Sequence, residues 1–155
     1  RQRLIAGAVT FAARASGLYG RGVANARAVR LARSEIRAPL WPRGLDGFRI
    51  LHLGDCHFDG DPAAPDRIAA LLEGVRADLC VYTGDTLYYP ETDPELAADH
   101  FGRIMAPVQS RYGFYGSMGN NDFSWLRPLL AARGLRWLVN AHATVGGGDS
   151  AVTLA

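Results

Sequence analysis

The sequence predicts an α/β fold, a sheet with helices packed against it, and three observations carry that reading. Apolar runs of strand length stop at glycine three times: Phe48–Leu53 before Gly54-Asp55, Leu79–Thr83 before Gly84-Asp85, and Gly113–Met118 before Gly119-Asn120. Between these runs lie segments whose apolar residues recur at helical spacing. Asp55, Asp85 and Asn120 stand thirty and thirty-five residues apart, about one strand–helix–strand unit each.

At 155 residues, 48% of them hydrophobic, the chain is long enough for one core and too apolar for disorder. Its net charge of +2 is unevenly spread. Residues 1–43 hold nine Arg against Glu35 alone, whereas 44–155 hold eight Arg against fourteen acids. The reading is a basic leader (1–43) and an acidic globular body (44–155). All seventeen basic residues are Arg, which points to coding bias rather than function. The chain starts at Arg1 and stops at Ala155 inside an expected strand, so a piece of a longer protein is expected.

In the leader, residues 3–19 draw as a helix with Leu4, Ile5, Ala8, Phe11, Ala12, Ala15 and Tyr19 on one side. Arg3, Thr10, Arg14 and Arg21 fall on the other. A basic amphipathic helix suits a membrane surface, so peripheral membrane contact through residues 3–21 is one expectation. A helix packed on its own domain, or a disordered leader, is the other. The apolar run Leu4–Ala13 is too short to span a bilayer. Residues 27–37 fit helix or strand, with an edge strand favoured, and Pro39, Pro42 and Gly44 form a linker.

In the body, Pro65 suits an early helical position, and Ile68, Leu71, Leu72 and Val75 follow as one buried face. Thr92-Asp93-Pro94-Glu95 reads as a capping box opening a helix whose face is Ala97, Phe101, Ile104 and Met105, ended by Pro107. Ser124 should cap a third helix running through Ala132 and stopping at Gly134. Arg136–Asn140 reads as a strand. Residues 142–145 and 151–155 read as a hairpin around Gly146-Gly147-Gly148-Asp149.

Chemistry in open α/β sheets sits past the carboxyl ends of strands, where Asp55 and His57 fall. A hard carboxylate oxygen beside an imidazole nitrogen suits Mn, Fe or Zn. Taken singly, Asp55 and Asp85 read as cap or turn carboxylates, and Asn120 as a turn residue. Cys56 and Cys80 fit no zinc spacing and read as free thiols, with Cys56 turned away from its neighbours by alternation. Of the remaining histidines, His52 reads as a satisfied core residue, His100 as a surface residue of a helix, and His142 as the start of the hairpin.

Asp55-x-His57, Gly84-Asp85 and Gly119-Asn120, in that order, resemble the calcineurin-like metallophosphoesterases. The phrase from Leu45-Asp46-Gly47-Phe48 through Val81-Tyr82-Thr83-Gly84-Asp85 looks most like their bacterial membrane-associated branch. The resemblance implies a β-sandwich flanked by helices, of which this chain would hold the first half. It implies two divalent metal ions (Mn, Fe, Zn or Mg), with Asp55 and His57 on the first, Asp85 bridging, and Asn120 on the second. It implies hydrolysis of a phosphodiester, phosphomonoester or pyrophosphate by a water that the two metals activate. Asn121 stands where the family commonly has the His that protonates the leaving group. The family's downstream His and Gly-His-x-His ligands have no counterpart before Ala155.

The expected partner is a phosphorylated small molecule or a lipid-linked substrate, with no nucleic acid, because the Arg-rich leader lacks interleaved aromatics. The expected location is the cytoplasmic face of a membrane, or otherwise the cytoplasm. The alternative is a non-catalytic or inactive fragment with a vestigial metal or phosphate site, favoured by Asn121 and the missing ligands. A doubly wound nucleotide-binding domain fits the rhythm but lacks a Gly-rich phosphate loop after the first strand.

Overall fold

The protein's structure is a computed structural model that describes residues 2–155; Arg1 and the side chains of Gln2, Arg3 and Asp149 lie outside the described residues. The expected place of Arg3 on the polar side of the first helix falls outside them too.

Two compact units are present, Arg1–Ala32 and Arg33–Ala155. The first holds α1 (Gln2–Ala15) and α2 (Tyr19–Arg27). The single helix expected over 3–19 is cut at Gly17, whose φ of 74° is left-handed. The Ser16 hydroxyl donates back to the Ala12 carbonyl and helps close α1. The edge strand expected over 27–37 does not form: α2 runs to Arg27, and residues 28–39 have no regular structure and are exposed. Among the described residues no strand pairs with that stretch, so no ladder takes its backbone groups.

The second unit is built on a four-stranded parallel sheet in the order β1 (Ile50–Leu53), β3 (Leu79–Tyr82), β5 (Phe114–Gly116), β6 (Leu135–Trp137). Each crossover carries a helix: α3 (Ala64–Leu72), α4 (Pro94–Met105) and α5 (Leu126–Ala132). A second parallel pair, β2 (Arg76–Ala77) with β4 (Gln109–Ser110), ties the lead-ins of β3 and β5. Side-chain alternation then sorts the two faces. Leu51, Cys80, Tyr82 and Leu135 meet Leu72, Phe101, Ile104, Leu126 and Leu130 from the helices in one buried cluster. Truncating a fully buried ring such as Phe101 to Ala would cost about 3–5 kcal/mol. On the other face Leu79 and Tyr115 pack with Val145 of the antiparallel hairpin β7 (Ala143–Val145) and β8 (Val152–Leu154).

Several local expectations shift. Helix α4 is capped by Asp93, whose carboxylate accepts the Glu95 N–H at 3.0 Å, not by Thr92. The Thr92 hydroxyl is drawn instead to Asp59. Helix α5 begins after Trp125 with no side-chain cap, so Ser124 does not cap it. Leu71 points out of the expected buried face of α3, while Leu72 is buried. His100 is 7% exposed, not a surface residue, because it meets Phe58 edge to face across the α4 side of the core. His52 does find a partner, Thr83 Oγ1 at 3.1 Å, but on an exposed face of β1 rather than in the core. His142 is exposed just ahead of β7.

Candidate metal centre

The loops leaving β1, β3 and β5 meet at the carboxyl edge of the parallel sheet. Residues 55–58 zip along 84–86: Asp55 N–H donates to the Gly84 carbonyl at 2.9 Å, His57 to Asp85 at 3.1 Å, and Phe58 to Thr86 at 2.9 Å. This pairing sets Asp55, His57 and Asp85 side by side. One ligand atom from each lies within 4.8 Å of the others.

The backbone at these residues is unusual. Among the described residues four non-glycines have positive φ, and three are Asp55 (55°), His57 (40°) and Asp85 (54°). Left-handed backbone costs roughly 1–3 kcal/mol at a non-glycine and persists only where the surroundings impose it. Here the imposed geometry turns three potential ligands toward one point.

Asp55 Oδ1 stands 2.7 Å from His57 Nε2. Asp55 is exposed at the mouth, while His57 is half-buried and its Nδ1 is buried without a partner. Asp85 Oδ1 accepts the Asn121 N–H at 2.9 Å, which leaves capacity on a carboxylate with about four acceptor positions.

A carboxylate from the β5 loop locks the arrangement. Asp122 Oδ2 accepts the N–H of Asp85 and of Gly119, both at 2.9 Å, and Oδ1 accepts Thr86 N–H at 2.8 Å. Beneath it the buried Tyr82 hydroxyl donates to Thr86 Oγ1 at 2.9 Å. The packing tolerates no side chain between the loops. A Cβ on Gly84, itself at φ 79°, would stand 2.0 Å from the Gly119 nitrogen, and one on Gly119 would stand 2.2 Å from Asp85 Oδ1.

Asp59 fixes the next loop: its two oxygens accept Tyr88 N–H at 2.8 Å and Tyr89 N–H at 2.7 Å, and Thr92 Oγ1 donates at 2.8 Å. Burial raises the Asp59 pKa, but these hydrogen bonds outweigh it and leave the carboxyl below its ordinary value. Cys56 goes the other way, pushed up to about 12 by burial and then by the charges of Asp55 and Asp122. Its thiol faces the helix-side cluster and donates to Gly54 O, so it stays neutral and apart from the triad.

The structure thus brings Asp55, His57 and Asp85 together. Asn120 lies in the same Gly119–Asp122 loop and is exposed; Asn121 is half-buried and touches Asp85 through its N–H. His52, His100 and His142 contribute nothing to the triad. Asp122 and Asp59 were not legible as site residues in the sequence. The signal for Asp122 was its place directly after Gly119-Asn120-Asn121, but spacing alone does not reveal a carboxylate with three backbone donors.

The donor set fits a divalent ion. Two oxygens and one imidazole nitrogen suit Mn, Fe or Zn, and ligands on one ion at about 2.0–2.2 Å stand up to about 4.4 Å apart. The three atoms need to close by only a few tenths of an ångström. Asp55 and His57 already converge through Nε2, and His57 Nδ1 is buried without a partner.

No curated protein and no solved structure matches the chain. A model of the calcineurin-like phosphoesterase family matches residues 48–147, from just before β1 to the turn of the β7–β8 hairpin. With the match covering more than half of its length and the Asp55–His57–Asp85 cluster where the sheet ends, the chain belongs to the calcineurin-like phosphoesterase family.

Proposed function

We propose that the chain is a metal-dependent phosphoester hydrolase whose primary ion is held by Asp55, His57 and Asp85. One observation carries this: three of the four left-handed non-glycine residues are the three whose ligand atoms converge. An ion bound there would polarise a phosphoryl oxygen and acidify a bound water. The chain's own residues would hold that geometry. Asp55 and His57 face the opening, and Asp122 anchors the backbone of Asp85. The Asn120 amide, by family resemblance, would ligate a second ion that Asp85 bridges. Asn121 offers an amide in place of an acid, so the leaving group would take its proton from water.

Titration with Mn²⁺ followed by electron paramagnetic resonance tests the reading, together with hydrolysis of bis(4-nitrophenyl) phosphate. Binding that disappears in Asp85→Asn supports it; Mn²⁺ affinity equal in the native and Asp85→Asn chains sinks it. A second reading is a metal- or phosphate-binding domain without turnover. It is favoured by the single three-ligand group found among the described residues, and binding without hydrolysis would select it.

Substrate, branch and location belong to the same proposal. Resemblance to the bacterial membrane-associated branch supports a phosphorylated small molecule or lipid-linked substrate at the cytoplasmic face of a membrane. Among the described residues no helix is long and apolar enough to cross a bilayer. What supports peripheral contact is α1, where Leu4 (79%) and Phe11 (75%) are exposed along with Ile5. Flotation with anionic vesicles, comparing the full chain with one starting at Gly22, tests it; equal flotation removes it.

A further inference from the structure

Five aromatic side chains are exposed in the unit Arg33–Ala155, and four of them lie on the two loops that follow Asp85 and Asp122: Tyr88, Tyr89, Phe123 and Trp125. Exposed apolar surface gathered at one place marks a contact site rather than scatter, and Tyr88 with Tyr89 forms one such patch. Tyr88 is the best placed. Its ring centroid lies 5.5 Å from that of His57, with the planes at 78°. Tyr89 meets it edge to face at 4.9 Å. Both rings keep nearly half their surface open, at 48% and 41%.

The backbone beneath these rings is held. Asp59 takes both tyrosine N–H groups and the Thr92 hydroxyl, and Thr92 N–H donates to the Tyr89 carbonyl. A rigid, half-exposed aromatic wall beside a candidate metal ligand is pre-organised to receive a flat group, since little ordering remains to be done on binding. Its surroundings argue against an acyl chain, which wants an enclosed apolar channel; this wall is open and carries phenol hydroxyls at its edge.

We propose that the substrate's organic group is planar and aromatic, an aryl or nucleoside phosphoester, and that Tyr88 is the specificity-determining surface on which it rests. This rests on the metal-centre reading above, with the phosphate at Asp55, His57 and Asp85 and the ring lying along Tyr88.

The test uses the full chain loaded with diamagnetic Zn²⁺, after Zn²⁺ binding itself has been measured. Phenylphosphonate is compared with methylphosphonate, adenosine 5′-monophosphate with ribose 5-phosphate, and octylphosphonate is added as the acyl arm. The aromatic member of at least one pair should bind about 3–10-fold tighter, the worth of one aromatic contact, with upfield ring-current shifts of its protons. The ratio within the pair should fall to about one in Tyr88→Ala and persist in Tyr88→Phe. The first pair answers for aryl groups and the second for nucleosides. Equal affinities within both pairs, or a preference that survives Tyr88→Ala, overturn the proposal while leaving the metal centre intact. So does octylphosphonate binding tighter than phenylphosphonate. A chain that binds no Zn²⁺ fails at the metal centre instead, and both readings fall.

Discussion

Asp122 and Asp85 hold each other's loops. The Asp122 carboxylate accepts the Asp85 N–H at 2.9 Å, and the Asp85 carboxylate accepts the N–H of Asn121, the residue just before Asp122. The two acids are thirty-seven residues apart and come from adjacent strands of the sheet. One carboxylate is spent on backbone amides so that the other can face outward at a fixed angle. Such a residue acts through its neighbour, as a positioning group.

Asp122→Asn should therefore weaken metal binding without touching the metal. The amide replaces one acceptor oxygen with a donor, so it opposes at least one of three backbone N–H groups. Outer-shell losses of this kind typically lower metal affinity about 10–100-fold. Mn²⁺ titration of Asp122→Asn and Asp122→Glu checks it. Unchanged affinity in Asp122→Asn would show that the Asp85 loop holds its shape unaided.

Gly119→Ala should be more damaging than its size suggests. The new methyl would stand 2.2 Å from Asp85 Oδ1 and 2.3 Å from the Asp85 nitrogen, and the second of these is backbone. The two loops must separate, at about 1–3 kcal/mol for an overpacked site, and the candidate metal ligands would separate with them. Gly147→Ala is the control, since it meets nothing within 4 Å and sits in extended backbone at φ −166°. Urea midpoints and Mn²⁺ affinity should both fall in Gly119→Ala and stay level in Gly147→Ala.

The strands and helices of the body were legible because each apolar run is periodic and ends in glycine. Leu79–Tyr82 is buried on both faces and α4 shows one clean stripe, so neither left much room for error. The leader was less legible. Among the described residues no strand pairs with 27–37, and a strand's existence depends on a neighbour that local sequence does not encode. The cap expected at Thr92 was misplaced because a long-range contact with Asp59 takes its hydroxyl, while α5 starts after Trp125 with no side-chain cap at all. Asp55, His57 and Asp85 were recognisable as a set from order and spacing. The bonds of Asp122 and Asp59 were not, because they join residues about thirty or more positions apart.

His100 gives the fold a pH dependence whose sign follows from its burial. Burial, and then the Arg103 guanidinium, hold its pKa below the ordinary 6.5, while Asp66 and Asp99 pull the other way. The folded state keeps His100 neutral where the unfolded chain would bind a proton. Stability is therefore full above the unfolded value and declines as pH falls from about 6.5 through the depressed folded value. Urea midpoints measured at about pH 7.5 and about pH 5 should drop less in His100→Gln than in the native chain. An equal drop in both would assign the pH dependence to other groups.

Turnover is the property that Asn121 should limit most. The candidate triad could supply three ligands to one ion, while a second would have only the shared Asp85 and the neutral Asn120 amide, a thin shell for a divalent cation. About one tightly bound ion per chain and slow hydrolysis, still above that of Asp85→Asn, are the expected results. Asn121 is anchored by its backbone N–H to Asp85 Oδ1, so position 121 stands beside a candidate metal ligand. Asn121→His keeps that N–H and adds a group able to give a proton near neutral pH. A well-placed acid is worth about 10²–10⁴-fold, and with a half-built metal shell the lower end is the realistic gain. The rate of hydrolysis of an alkyl phosphodiester such as glycerophosphocholine, whose alkoxide must leave protonated, should rise about 10–100-fold in Asn121→His, with Mn²⁺ affinity little changed and a fall in rate as pH rises past the new imidazole. A substrate with a better leaving group should show a smaller gain, because it needs the proton less. If the rate stays at the native level while the metal is bound, position 121 does not face the leaving group, and the limit lies in the second ion rather than in the missing acid.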